Sequence, residues 1–291
     1  MIHGLITFDM DKTMKTNTDF MVSASPYDDR DLLFDQAEKT RPPLPERFSL
    51  REDMFVIRDQ GQQGSCVAQA LAALQERNNL KHLLDKGYLS PQYVYDCRPK
   101  NRSGRGMNVR NALKFIRQHG APLEKSYPYR QEKDTPPVGL SKMPKALRKE
   151  AKFFRIEGFA RCTTIEDTKR ALYLHGPCII SVPVYAKPWA RGDNAEAQRY
   201  IVPSRMWFKD EGYKKLGGHA MAIVGWDLHG FQIRNSWGYN WGSRGHCTFP
   251  YGDWGRHYEV WSAIDYEPDV CAKPDTMIQK IKKCLDNTRW G

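Results

Sequence analysis

The sequence predicts an α+β fold of two lobes, because helical patterns occupy the first half of the chain and strand patterns the second half. In the first half, apolar residues recur at helical spacing over 68–84 and again over 109–118. In the second half, four short segments are rich in β-branched and aromatic residues and are interrupted by glycines, which is typical of strands. These segments are CIISVPVY (178–185), HAMAIVGWD (219–227), FQIRNSW (231–237) and HCTFPY (246–251).

The composition is that of a globular protein. The chain has 291 residues, of which 40% are hydrophobic and 12% aromatic, so it can bury a sizeable core. No apolar run approaches the ~20 residues of a membrane-spanning helix. The first residues, MIHGLITFDMDK, lack the basic flank and long apolar stretch of a secretory signal, so we expect synthesis in a cytoplasm.

Charge and cysteine content restrict the possible partners. The formal net charge is +11, but lysine and arginine are spread along the chain. This favours a solvated basic surface over a nucleic-acid site, which remains the alternative. The seven cysteines are widely spaced and form no CxxC pair and no zinc-finger pattern, so we expect reduced thiols and no metal site.

The chain divides into three predicted segments. Residues 1–43 are mostly polar and end in two consecutive prolines, which indicates an N-terminal extension. Residues 44–267 contain the helical and strand patterns and form the main domain. Residues 268–291 are basic and amphipathic and predict a C-terminal helical tail that docks on the domain.

The motif FDMDKT (8–13) offers an alternative chemistry. It matches the aspartate loop of haloacid-dehalogenase-type phosphatases, where Asp9 would attack phosphate and Asp11 would act as the acid. That fold needs a doubly wound sheet of well over ~100 residues after the motif. Because a linker follows here instead, we do not expect a phosphatase.

The segment DQGQQGSCVAQALAALQE (59–76) places one thiol, Cys66, where a glycine-rich loop becomes a helix. Considered alone, such a cysteine is more often a buried structural thiol. A helix N-terminus and a neighbouring imidazolium, however, both favour the thiolate, which is the nucleophilic form. His219, at the start of a predicted strand, and Asn235, at the end of the next one, can supply and orient such a ring.

An acyl-transfer site also needs hydrogen-bond donors for the developing oxyanion. The backbone N–H of Cys66 is one candidate. The side-chain amide of Gln60 is the second, if the loop between them curls back, and Gly61 and Gly64 permit such a tight loop.

Three motifs in this order, QGQQGSC (60–66), GGHAMAIVGW (217–226) and RNSWGYNWG (234–242), resemble the papain family of cysteine peptidases. The resemblance covers about residues 44–267. It implies a papain-like fold, in which a helical lobe and a β-barrel-like lobe face each other across the active-site cleft.

The resemblance also implies a role for each matching residue. Cys66 is the nucleophile, and His219 is the general base and acid. Asn235 orients His219, Gln60 completes the oxyanion hole, and Trp237 covers the bond between histidine and asparagine. No metal or organic cofactor is implied.

Further residues match the substrate cleft of the family. Gly106 corresponds to a glycine that pairs with the substrate backbone, and Gly218 precedes the histidine. The segment YEVWSAI (258–264) resembles the cathepsin B branch, in which a glutamate lies at the base of the S2 pocket. Glu259 would then favour arginine as well as apolar residues at P2. The alternative is that Glu259 is an exposed charge at a strand end.

The chain also departs from the family. Gln63 stands where a disulfide-bonded cysteine is usual, and Val67 stands where an aromatic residue usually follows the nucleophile. The extension 1–43 is too short for the usual prodomain. We expect it to be a shorter pro-segment that lies over the cleft and regulates access, as in a zymogen.

We therefore predict a monomeric cysteine endopeptidase that hydrolyses peptide or protein substrates through a thiolate–imidazolium pair and an acyl-enzyme. The alternative is a catalytically silent or autoinhibited peptide-binding protein on the same scaffold. The presence of all four residues, Gln60, Cys66, His219 and Asn235, favours the enzyme, because binding alone does not require them.

Overall fold

The structure, a computed structural model, describes residues 22–79, 83, 87–99, 105–131, 134, 136–185 and 215–264. Several predictions fall on residues outside these ranges and are not described further. They are the FDMDKT motif, the C-terminal tail, and the cysteines Cys271 and Cys284.

The described helices lie mainly in the first part of the chain. They are α1 (Phe34–Ala37), α2 (Cys66–Asn78), α3 (Pro91–Asp96), α4 (Val109–His119), α5 (Lys145–Ala151) and α6 (Ile165–His175). Short 3₁₀ turns cover Arg51–Asp53, Leu140–Lys142, Lys152–Phe154 and Tyr251–Asp253. Among the described residues, no helix has the length and apolar character that crossing a membrane requires.

The two predicted helices are present with adjusted ends. The helix predicted over 109–118 begins after Asn108, whose side-chain oxygen accepts a hydrogen bond from the Asn111 N–H, and it ends at Gly120 with φ 71°. The helix predicted from residue 68 begins earlier and ends at Asn78. Residues 80–82 and 84 of the predicted helix lie outside the described residues.

Seven strands form one antiparallel sheet in the order β2-β7-β3-β4-β5-β6, and β1 pairs with β4. The strands are β1 (Phe48–Ser49), β2 (Gly158–Cys162), β3 (Cys178–Tyr185), β4 (Lys215–Trp226), β5 (Gly230–Arg234), β6 (His246–Pro250) and β7 (Glu259–Ile264). All four predicted strands are present. The segment predicted over 231–237 ends at Arg234, since the next N–H, of Asn235, bonds the Gly245 carbonyl.

The helical and sheet lobes meet along helix α2. This helix packs against β3 and β4, and almost all of its residues are buried. One apolar cluster joins the helical lobe to residues of β3, β4 and β7, and a second fills the sheet lobe beneath α6. The predicted two-lobe α+β architecture is therefore confirmed, and the start of α2 lies beside β4.

A buried ion-pair network ties the loop before Gln60 to the helical lobe. The guanidinium of Arg58 lies 2.6 Å from the carboxylate of Glu76 on α2 and 2.8 Å from that of Glu124. Glu76 is only 1% exposed. Burial alone lowers the pKa of Arg58, but the two carboxylates outweigh burial and raise it above its ordinary value.

Replacing Arg58 with methionine is expected to lower the free energy of unfolding by about 3–5 kcal/mol, because it leaves the Glu76 carboxylate buried without its cation. The matched control is Arg77→Met, which breaks a pair with the half-exposed Asp53 and is expected to cost about 0–1 kcal/mol. Urea denaturation of both variants checks this prediction. Equal losses would contradict it.

Candidate active site

Cys66 is the first residue of helix α2 and is fully buried. The first N–H groups of a helix have no intrahelical acceptor and carry the positive end of the helix dipole. The preceding residue, Ser65, is held by a 2.6 Å hydrogen bond between its hydroxyl and that of Tyr129. The thiol therefore sits at a fixed helix N-terminus, as the sequence predicted.

Other thiols in the described part of the chain lie in apolar surroundings. Burial, with a smaller contribution from Asp96, raises the pKa of Cys97 to about 12. Burial also raises the pKa of Cys162 and Cys247 well above their ordinary value. These three thiols stay protonated at neutral pH and are structural.

His219 lies on β4 and is completely buried. Its Nε2 is 2.7 Å from the side-chain oxygen of Asn235, so Nε2 carries the hydrogen and donates it. The Trp237 ring lies 4.7 Å from the imidazole, measured between centroids, and packs edge-on against Trp241. The predicted orientation of His219 by Asn235, under the cover of Trp237, is present in the structure.

Helix packing brings the thiol and the imidazole together. Because α2 packs against β4, Cys66 belongs to the same apolar cluster as Ala220, the residue after His219. On the neighbouring strand, Val182 is the register partner of His219. Cys66 and His219 thus both lie where the two lobes meet.

The side chain of Gln60 is buried and is held by two hydrogen bonds. Its carbonyl oxygen accepts a 2.7 Å hydrogen bond from the hydroxyl of Ser236, and its Nε2 donates to the main-chain carbonyl of Gln63 at 2.8 Å. The backbone of Gln60 donates to the carbonyl of Ser236 and accepts from the hydroxyl of Tyr129. The loop therefore curls back toward α2, as expected, with the amide in a defined orientation.

Both predicted cleft glycines stand at positions that disfavour a side chain. An added Cβ on Gly218 would lie 2.0 Å from the carbonyl oxygen of Val22, so no side chain fits there. Gly106 has φ 70°, in the region that favours glycine, and its N–H lies 3.4 Å from the hydroxyl of Tyr95.

Glu259 is buried rather than exposed, with 1% of its surface accessible. The alternative of an exposed strand-end charge is therefore wrong. Its Oε1 accepts hydrogen bonds from the hydroxyl of Ser25 at 2.9 Å and from the Ser25 N–H at 3.3 Å. Its Oε2 is buried and has no hydrogen-bond partner among the described residues.

An N-terminal strap, defined here as residues 22–38, lies across the two lobes. The N–H of Val22 donates to the Gly218 carbonyl at 3.1 Å, and the Val22 side chain joins the apolar cluster that contains Cys66. The Ser25 hydroxyl lies 3.1 Å from the side-chain oxygen of Asn108, at the start of α4. The first described residues of the extension thus contact both sides of the predicted cleft.

The second part of the strap is anchored in both lobes. Asp31 forms a buried ion pair with Arg110, and the carbonyl of Leu32 accepts a hydrogen bond from the Arg161 N–H. Phe34, at the start of α1, is buried in the apolar cluster of the sheet lobe.

Sequence reasoning missed two groups of residues at this site. Ser236 stands beside Asn235 in the RNSWG motif, but its bond to Gln60 joins residues 176 positions apart. Ser25 and Val22 lie in a polar extension without a motif, and no feature of the sequence identifies their contacts.

Comparison with known proteins assigns the family. Residues 44–259 match the model of the papain family cysteine proteases. Cathepsin L 2 of Paramecium tetraurelia is 28% identical over 200 residues, which cover 68% of this chain and 56% of that protein. Cathepsin K of Mus musculus is 27% identical over 214 residues, which cover 70% of this chain and 59% of the cathepsin. In both cases the match spans less than two thirds of the relative, and these relatives do not support the cathepsin B branch specifically.

Solved structures share the fold. Xylellain, a cysteine protease from Xylella fastidiosa, superposes with a TM-score of 0.70 at 24% identity, covering 87% of this chain and 98% of that structure. Procathepsin L 3 of Tenebrio molitor gives a TM-score of 0.61 at 16% identity, covering 88% and 79%. Because the family match covers more than half of the 291 residues and both solved structures share the fold, this chain belongs to the papain family of cysteine proteases.

Proposed function

We propose that the chain is a cysteine endopeptidase that hydrolyses peptide bonds with Cys66 as the nucleophile. The observation that carries this proposal is the 2.7 Å bond between His219 Nε2 and the Asn235 side-chain oxygen. Because Nε2 is the nitrogen that donates to Asn235, Nδ1 is the one that exchanges a proton with the thiol. The helix N-terminus at Cys66 stabilises the thiolate that results.

In the acylation step, the Cys66 thiolate attacks the peptide carbonyl carbon, and the carbonyl π electrons move to oxygen. The Cys66 N–H and the Nε2 of Gln60 donate hydrogen bonds to this oxyanion. The intermediate collapses, the C–N bond breaks, and His219 gives its proton to the leaving amine.

In the deacylation step, His219 accepts a proton from water as the water attacks the thioester carbonyl. The tetrahedral intermediate collapses, the C–S bond breaks, and the carboxylic acid leaves, which regenerates the Cys66 thiolate beside protonated His219. Asn235 keeps the ring in one orientation throughout, while Trp237 excludes water from the bond between the ring and the amide.

Hydrolysis of the fluorogenic dipeptides Phe-Arg and Arg-Arg by the full chain under reducing conditions tests the proposal. We expect turnover that disappears in Cys66→Ala. A catalytically silent binding protein on the same scaffold would give no turnover in the wild type, even after release of the strap.

For the same site we propose that Glu259 lies in the S2 pocket and selects arginine at P2. The support is its burial and the unpartnered Oε2, because a buried carboxylate oxygen is stabilised by a cationic donor. A guanidinium can form two parallel hydrogen bonds with a carboxylate, whereas an apolar P2 side chain leaves the charge unpaired.

Glu259→Gln is expected to lower kcat/KM for Arg-Arg by about tenfold to a hundredfold, since it removes a charge-assisted pair worth roughly 1.5–3 kcal/mol. The glutamine oxygen still accepts from Ser25, so the strap is retained. The apolar Phe-Arg substrate is the internal control, and its kcat/KM is expected to change less than threefold, about the 0.6 kcal/mol of RT ln 3. Parallel losses on both substrates would contradict the role in S2.

We further propose that the N-terminal strap limits access to the cleft. The Val22 side chain lies in the apolar cluster that contains Cys66, and its N–H donates a hydrogen bond to the Gly218 carbonyl. The Ser25 hydroxyl donates a hydrogen bond to the Glu259 carboxylate. A bound peptide needs the same groups, so the strap and the substrate compete. The anchor at Phe34 lets residues 22–30 move away while the rest of the strap stays docked.

A further inference from the structure

We propose that Gln63 is a positioning residue that orients the oxyanion donor Gln60 through a relay of buried amides. This inference rests on the proposed function, because it concerns the same peptidase site. The three residues of the relay are Gln60, Gln63 and Gln92, and all are at most 1% exposed.

The first step of the relay is the bond between Gln60 and the loop. The Nε2 of Gln60 has two hydrogens, and one of them is donated to the main-chain carbonyl of Gln63 at 2.8 Å. Since the amide is planar and its oxygen is fixed by Ser236, the direction of the second hydrogen is set. The position of the Gln63 carbonyl thus determines the direction of the second Nε2–H bond of Gln60.

The second step holds Gln63 itself. Its side-chain Nε2 donates to the side-chain oxygen of Gln92 at 3.2 Å and to the main-chain carbonyl of Arg130. The Arg130 N–H donates to the same oxygen of Gln92 at 3.1 Å. The loop that carries Gln60 is therefore fastened by its side chain to a neighbouring segment and to helix α3.

The third step connects the relay to the buried carboxylate of Asp96 on helix α3. The Nε2 of Gln92 donates at 3.0 Å to Asp96, one turn later on α3. The other oxygen of Asp96 accepts from the hydroxyl of Tyr127 at 2.8 Å and from the guanidinium of Arg130. Every amide thus donates toward the buried carboxylate, so each oxygen and nitrogen along the relay has a defined orientation.

The relay occupies a position where the family resemblance leads one to expect a disulfide-bonded cysteine. Gln63 stands at that place, and Cys97, on the C-terminal side of α3, is reduced. Hydrogen bonds between buried amides therefore replace a covalent tether for the loop, and the loop does not depend on oxidation.

Gln63→Leu tests the inference in the full chain, because leucine has a similar volume and no donor. The oxygen of Gln92 stays paired with the Arg130 N–H in this variant. The Gln63 Oε1 that the substitution removes has no hydrogen-bond partner in the described part of the chain. The matched control is Gln62→Leu, at an exposed position on the same loop. For each variant we would measure kcat and KM for Phe-Arg, inhibition by a peptide aldehyde, and the rate of thiol alkylation by iodoacetamide.

We expect Gln63→Leu to lower kcat about tenfold to a hundredfold, because the Gln60 Nε2–H no longer points at the oxyanion. We expect KM to change less than threefold, because the contacts with the substrate remain. Binding of the aldehyde, whose adduct places an oxygen in the oxyanion hole, should weaken by a similar factor. Alkylation by iodoacetamide forms no oxyanion, so the alkylation rate of Gln63→Leu should equal that of Gln62→Leu.

Two results would overturn the inference. The first is unchanged kcat and aldehyde affinity in Gln63→Leu. The second is an equal fall of alkylation and turnover, which would show general disorder of the site instead of a misaimed donor. A wild-type chain that hydrolyses no peptide would contradict the proposed function itself, independently of how the two variants compare with each other.

Discussion

Replacing Cys66 with alanine is expected to lower kcat/KM for Phe-Arg by at least about 10⁴-fold, because no acyl-enzyme can form without the thiol. The buried position of this residue at the start of α2 makes a general loss of structure an alternative cause. Far-UV circular dichroism and the thermal midpoint should therefore be recorded with the kinetics.

The matched control for this prediction is Cys97→Ala. Cys97 is also buried, and burial raises the pKa of its thiol to about 12, so it is not a nucleophile at neutral pH. We expect this variant to keep its activity within a factor of about three, or 0.6 kcal/mol. Comparable losses in the two variants would mean that turnover reports folding and not the chemistry of Cys66.

Replacing Ser25 with glutamate is expected to raise kcat/KM of the full chain about tenfold to a hundredfold. The new carboxylate would lie against that of Glu259, which now accepts two hydrogen bonds from Ser25. Like charges in contact cost several kcal/mol, and moving residues 22–30 out of the cleft relieves that cost. The anchor at Phe34 is unchanged, so the fold is retained.

Tyr27→Glu is the control for the strap variant. It adds the same charge two residues further along, at a side chain that is 87% exposed. Activity is expected to stay at the wild-type level, because no carboxylate faces this position in the described contacts. Activation by both substitutions would point to an effect of net charge, and activation by neither would contradict competition between strap and substrate.

The sequence was sufficient to predict the two lobes and the start of helix α2 at Cys66. Strand segments with β-branched and aromatic residues, such as 178–185, folded as expected, because their pattern is local. The bond between His219 and Asn235 was also predictable, since the antiparallel pairing of β4 and β5 places His219, within β4, near the residue that follows β5.

Contacts between distant segments were not predictable in the same way. Buried Glu259 is hydrogen-bonded to Ser25, which is 234 positions away and carries no motif. The relay from Gln63 to Gln92 depends on the packing of a loop against α3, and glutamine at either place has no special pattern. In such cases the partner that satisfies a buried polar group is chosen by the tertiary structure.

The most direct test of the central claim is to identify the residue that a peptidyl epoxide labels. Native protein, as wild type and as Ser25→Glu, would be treated with the epoxide and digested for mass spectrometry. If Cys66 is the thiolate nucleophile, one epoxide is added per chain, on the peptide that contains Cys66, and denaturation before treatment removes this selectivity. Labelling of Cys97 or Cys247 to the same extent as Cys66 in the native protein, or no labelling in either form, would contradict the claim.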